Sequence, residues 1–248
     1  MGAPAPMHRA VRAQAGLELR LLLRNPESLI VTLGIPLAIL VFFSVVDILP
    51  TGQDPVAFLV PGVLAISAMG TGLVAVAIQT AFERKYGVLK RLGASPLTRS
   101  GFLVSKALAV VAILAVQIVA ILAVATVALG WQVQGTVVVA IVATLVGGFA
   151  FAAIGLWMAG SLKAELTLAL SNAVFLGLLL VSGLAFESEA MPGPVRAVAD
   201  LLPSGALGNV LRAALTSPGE VDLAAMAVVL AWGVGATAAA AATFTWEP

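Results

Sequence analysis

The chain has 248 residues, of which 61% are hydrophobic and only 10% charged, and its net charge is +1. A soluble core of this size needs a charged surface that so few charges cannot supply, so the composition describes one membrane domain without a separate soluble domain. Cysteine is absent and His8 is the single histidine, which removes disulfides, thiol catalysis, iron–sulfur clusters and any His/Cys metal centre.

The charges are clustered, and the gaps between clusters set the architecture. No Asp, Glu, Lys or Arg occurs between Glu27 and Asp47, Asp54 and Glu83, Lys106 and Lys163, Glu165 and Glu187, or Asp222 and Glu247. A bilayer core about 30 Å thick takes about 20 apolar residues per helix. Four gaps hold one span each. The run 107–162 holds two, divided by Leu129-Gly-Trp-Gln-Val-Gln-Gly135. The fold class is therefore an all-α polytopic membrane protein with six transmembrane helices.

In chain order, residues 7–25 come first. On a helix, Arg9, Arg12, Gly16, Arg20 and Arg24 fall on one face, with Val11, Ala15, Leu19 and Leu22 on the other. That pattern predicts a helix lying in the interface plane, ended by Asn25-Pro26. No signal-peptide pattern precedes the first span, so that span is expected to be retained. The predicted spans are 28–46, 56–82, 102–129, 136–161, 166–186 and 223–246. Glycines in the second and fourth allow close helix contacts. The segment 187–222 is too long for a hairpin turn and too apolar for a free loop. Its prolines frame two short helices, over 195–202 and 204–215. Re-entry into the bilayer, where such backbone must be buried in protein, and a surface lie are both open for them.

Six spans put both termini on one side. Eleven Lys and Arg fall on that side and two, Arg196 and Arg212, on the other. The positive-inside rule makes both termini cytoplasmic.

The inner link 83–99 has a definite design. Gly87 permits a sharp reversal. Val88-Leu89-Lys90-Arg91-Leu92 forms one or two helical turns, Gly93 stops them, and Pro96 prevents continuation. Leu89 and Leu92 share a face, so the result is a short membrane-parallel helix with basic flanks. It suits either docking in a partner's groove or anchoring to lipid headgroups.

The pattern Glu83-Arg84, Gly87, Leu89-Lys90-Arg91-Leu92 and Ala94-Ser95-Pro96-Leu97 resembles the signature of type-2 ATP-binding-cassette (ABC) exporter permeases. Ser182-Gly-Leu-Ala-Phe186, Met191-Pro192, Leu202-Pro203 and Leu211-Arg212-Ala213 resemble that family's outer block. Val88 and Glu187 depart from the usual residues. The resemblance covers essentially the whole chain. It implies a coupling helix at 83–99 that contacts a separate ATP-binding subunit through Glu83, Arg84, Gly87, Leu89, Lys90, Arg91, Leu92 and Pro96. It also implies a second permease copy or a homologous permease, with the pathway at the shared interface. ATP and Mg would be bound by the partner subunit. This chain has no G-x-x-x-x-G-K-[ST] loop and is read as a transport subunit with no catalytic residues, no metal and no cofactor of its own.

Two other readings remain. An ion-coupled carrier keeps titratable groups inside the membrane, whereas the interior polar residues here, Gln79, Gln117 and Asn172, are neutral. Those three either line a pathway or bond helices together. An accessory scaffold would tolerate loss of residues 83–99. The basic residues do not form a nucleic-acid groove. Membrane lipid is the remaining partner. The uncharged interior suits an amphipathic or hydrophobic substrate such as a lipid, a lipid-linked molecule or a drug. The Ala-, Val- and Leu-rich composition and the lack of a transit peptide point to a bacterial inner membrane.

Overall fold

The computed structural model describes residues 6–24, 30–46, 54–95, 97–184, 192–216 and 220–245. Among them there is helix and no strand. Five helices are long and apolar enough to cross a membrane: α3 (Pro55–Lys85), α5 (Arg99–Ala128), α6 (Val137–Ser161), α7 (Ala164–Val181) and α10 (Leu223–Thr243). The apolar helix α2 (Ile30–Val45) stands at the place of the first expected span and is shorter. The others are α1 (Met7–Leu23), α4 (Val88–Gly93), α8 (Gly193–Leu201) and α9 (Pro203–Thr216).

Local chemistry sets the starts of the long helices. Asp54 accepts a hydrogen bond from the Val56 amide and Pro55 fills the first turn of α3. Thr98 accepts from the Gly101 amide ahead of α5, and Asp222 from the Ala225 amide ahead of α10. Most helix ends differ from the sequence reading by a few residues, and two of these shifts bear on the fold. α3 runs past Phe82 to Lys85, and α7 stops at Val181 instead of Phe186. Gly183, at a φ of +66°, breaks the second.

α3 and α6 are the buried pair, and α5, α7 and α10 pack around them with their other faces exposed. Along α6 the glycines admit different neighbours. A Cβ at Gly147 would strike the Leu207 side chain of α9, one at Gly148 the Leu114 side chain of α5, and one at Gly155 the backbone oxygens of Leu73 and Gly72 in α3. The contact is reciprocal, since a Cβ at Gly72 would lie 2.6 Å from the Gly148 oxygen. The α3 backbone widens to a π-helical turn over Gly70–Ala75 at this crossing.

Residues 193–216 form a tight helical corner. The Cβ position of Gly205 in α9 lies 2.1 Å from the Ala199 oxygen of α8. Most of α9 is buried. It runs antiparallel beside α6, with Ala214 accepting from the Thr136 amide at 2.6 Å and Leu207 against Gly147. That register covers about 15 Å of α6 at 1.5 Å per residue. Arg212 donates to the Gly183 carbonyl at 3.0 Å, and Trp232 of α10 donates to the Leu201 carbonyl at 2.9 Å.

Gly72 and Gly70 make a matched pair for testing the α3–α6 crossing. Gly72→Ala should lower the thermal unfolding midpoint in detergent, by an overpacking cost of about 1–3 kcal/mol. Gly70→Ala, whose Cβ meets nothing within 4 Å, should not lower it.

Candidate functional site

α3 ends in Glu83-Arg84-Lys85, three consecutive residues that a helix directs about 100° apart. Each reaches a different part of the bundle. Glu83 Oε1 accepts from Lys106 Nζ of α5 at 2.8 Å and from Gln79 Nε2 at 2.8 Å. Arg84 Nη1 donates to the Gly160 carbonyl at the end of α6 at 2.6 Å and to Thr245 Oγ1 beyond α10 at 3.3 Å. Its Nη2 donates to the Leu162 carbonyl. Lys85 pairs with Glu165 at the start of α7.

These contacts differ in weight. The Lys85–Glu165 pair is 45% and 65% exposed and contributes little to stability. Arg84 is buried and supplies donors to carbonyls that the end of α6 leaves without helical partners. The Lys106 side chain is 2% exposed and lies between two carboxylates, Glu83 and Glu18 of α1, each at 2.8 Å. Gln79 Nε2 also donates to Glu18 Oε2 at 2.7 Å, and Gln14 Nε2 to Glu18 Oε1 at 2.9 Å. Three elements, α1, α3 and α5, thus meet on one ammonium group. Among the described residues, the Thr80 hydroxyl and Glu83 Oε2 are buried without a hydrogen-bond partner.

Immediately after this hub, Gly87 takes a φ of +73° and turns the chain into α4. Leu89 is fully buried, in a cluster with Val11 of α1, Leu97 and Phe102 at the start of α5, and Phe244 after α10. Leu92 is half-buried against the same cluster. The apolar face of α4 is therefore taken up by its own chain, whereas Tyr86, Val88, Lys90 and Arg91 are exposed. Ser95 Oγ donates to the Leu92 carbonyl and closes the helix. Pro96 lies outside the described residues.

The expected interface residues divide accordingly. Glu83, Arg84 and Leu89 tie the segment to the bundle, and Lys90 and Arg91 are exposed. Of the interior polar residues, Gln117 is a helix contact. It accepts from Thr71 Oγ1 at 3.0 Å and donates to the Thr32 carbonyl at 2.6 Å, joining α5 to α3 and α2. Gln79 belongs to the charged hub. Asn172 is exposed and donates to the Leu168 carbonyl of its own helix, so it neither meets another helix nor joins the other two.

Sequence reading missed Glu18 and took Lys106 as one more basic residue near a span end. The interior is not free of charge at this end. A signal was available: Gln14 and Glu18 lie four residues apart, on a third face of α1 between its basic and apolar sides. Lys106 should be indispensable for holding α1. Lys106→Met leaves two buried carboxylates uncompensated and should destabilise the chain by about 3–5 kcal/mol, read as a fall in the unfolding midpoint. Adding Glu18→Gln and Glu83→Gln should recover most of that loss.

Among the described residues no group of three His, Asp or Glu side chains is placed to hold a metal ion. No curated protein matches the chain. A family model described as ABC-2 type transporter matches residues 10–216, from within α1 to the end of α9, and so includes the hub, α4 and the outer helical corner. The chain is a multi-pass membrane protein that belongs to the ABC-2 type transporter family, as the permease component that works with an ABC ATP-binding subunit.

Proposed function

We propose that this chain forms the translocation pathway of an ABC exporter, with six spans, as a dimer with a second copy or a homologous permease. Both termini lie in the cytoplasm of a bacterium, and the membrane is its inner one. A separate ATP-binding subunit, which holds ATP and Mg, docks on the exposed face of α4. The substrate is amphipathic or hydrophobic.

The observation that carries this reading is the joint between α4 and the hub. A helix of only six residues transmits force if it cannot rotate independently of the spans behind it. Leu89 seats α4 among residues of α1, α5 and the segment after α10. One turn earlier, Arg84 is bonded to the end of α6, and Glu83 to Lys106. A displacement of α4 by the ATP-binding subunit is then shared by α1, α3, α5 and α6 together. The exposed Lys90 and Arg91 supply a basic face for an acidic cleft on that subunit.

We read α9 as a re-entrant helix. Its burial beside α6 supports this, since non-spanning backbone at membrane depth survives only when packed in protein. It would close the pathway from the outside.

Charge reversal tests the docking face without unseating the helix. Arg91→Glu should reduce co-purification of the ATP-binding subunit and vanadate-sensitive ATP hydrolysis at least about tenfold, as expected for a like-charge contact costing over 1.4 kcal/mol. The unfolding midpoint of the permease should not change. Undiminished co-purification would remove α4 as the docking element. The orientation is checked in the natural cysteine-free background. Ser95→Cys should react with membrane-impermeant maleimide only in inverted vesicles, and Glu220→Cys only in intact cells or spheroplasts.

A further inference from the structure

Two grooves flank the first turns of α5. One, of about 600 Å³, runs between α1 and α5. The other, of about 310 Å³, runs between α5 and the end of α10. Both volumes lie in the range of small-molecule sites, about 300–1,000 Å³. Ser100 lines both grooves.

The polar residues lining the first groove are His8, Arg12 and Ser100, and those lining the second include Thr98 and Arg99. All five are exposed. Farther along α5 the first groove becomes hydrocarbon, with Val104 and Leu108 at 50% and 45% exposure. In the second, Leu103 and Ala241 do the same. No Asp or Glu lines either groove among the described residues. Cations and hydroxyls therefore ring the start of a membrane-spanning helix, and an apolar channel descends on each side of it.

We propose that the first turns of α5 form a binding site for one anionic phospholipid of the cytoplasmic leaflet. The headgroup phosphate bridges Arg12 and Arg99 beside Ser100, and one acyl chain lies in each groove. Guanidinium groups match phosphate oxygens in charge and geometry, and the absence of a carboxylate leaves that charge for the ligand. A zwitterionic lipid would bring a positive headgroup against the same arginines. A free phosphate would leave both channels unused. The site needs α5 to cross a bilayer and rests on the proposed orientation for its leaflet, and it stands apart from what the permease carries.

The test is native mass spectrometry of the purified full chain, titrated with phosphatidylglycerol or with phosphatidylcholine of equal acyl length. We expect one phosphatidylglycerol per chain, bound at least about tenfold more tightly than phosphatidylcholine. Arg12→Gln with Arg99→Gln should abolish the preference. Val104→Trp, which fills one channel and leaves both arginines, should weaken phosphatidylglycerol binding to a similar degree. Arg20→Gln with Arg24→Gln, elsewhere on the basic face of α1, should change nothing. Absence of a preference, survival of the preference in the Arg12/Arg99 or Val104 variants, or an equal loss in the Arg20/Arg24 control would each overturn the site.

Discussion

Lys106 has almost no access to water, and the basic end of the bundle is organised around that fact. An ammonium group shut away from solvent is tolerated only against opposite charge, because desolvation costs several kcal/mol per ion. Glu83 and Glu18 provide that charge from two other helices. α1 is held to the bundle by this requirement as well as by its apolar contacts. Once α1 and α5 are fixed, Val11 and Phe102 form the pocket that receives Leu89. The seat of α4 is thus a consequence of an ion cluster beneath it.

The other end of the bundle is built on shape. Glycines on α3, α6 and α9 bring backbones within a distance that no side chain would allow. Arg212 is the exception there, and it too serves a backbone group, the Gly183 carbonyl exposed by the break after α7. The chain therefore uses packing where α9 lies against α6 and charge where α1, α3 and α5 meet. Close packing resists small displacements over its whole area. An ion cluster holds one point and lets the helices pivot about it.

Much of this architecture is legible in the sequence. The charge gaps mark the long helices, and Gly87, Gly93 and the leucines between them mark α4. The misjudged boundaries have local causes. α3 stays helical beyond the apolar run because Arg84 finds buried partners at the end of α6. Ser182-Gly183 ends α7 inside an apolar run that periodicity alone cannot divide. The hub was the harder part. A lone Glu in a basic helix and a Lys seven residues into a span read as surface charges while each element is considered by itself. Their meaning comes from being brought to the same place. Asn172 shows the converse, since a polar residue amid an apolar run suggests a cross-helix bond, and its amide is satisfied within its own turn.

The two-sided nature of α4 has an evolutionary consequence. Its inward residue, Leu89, is constrained by four neighbours from distant parts of the chain, and any change there disturbs all of them. Its outward residues, Val88, Lys90 and Arg91, are exposed on a helix whose position is already secured. Substitutions at Val88 and Arg91 leave the Leu89 seat intact. With docking on α4 as proposed, a duplicated copy of this permease could be re-matched to a different energising subunit by a few surface changes, while the inward seat of the helix stays unaltered.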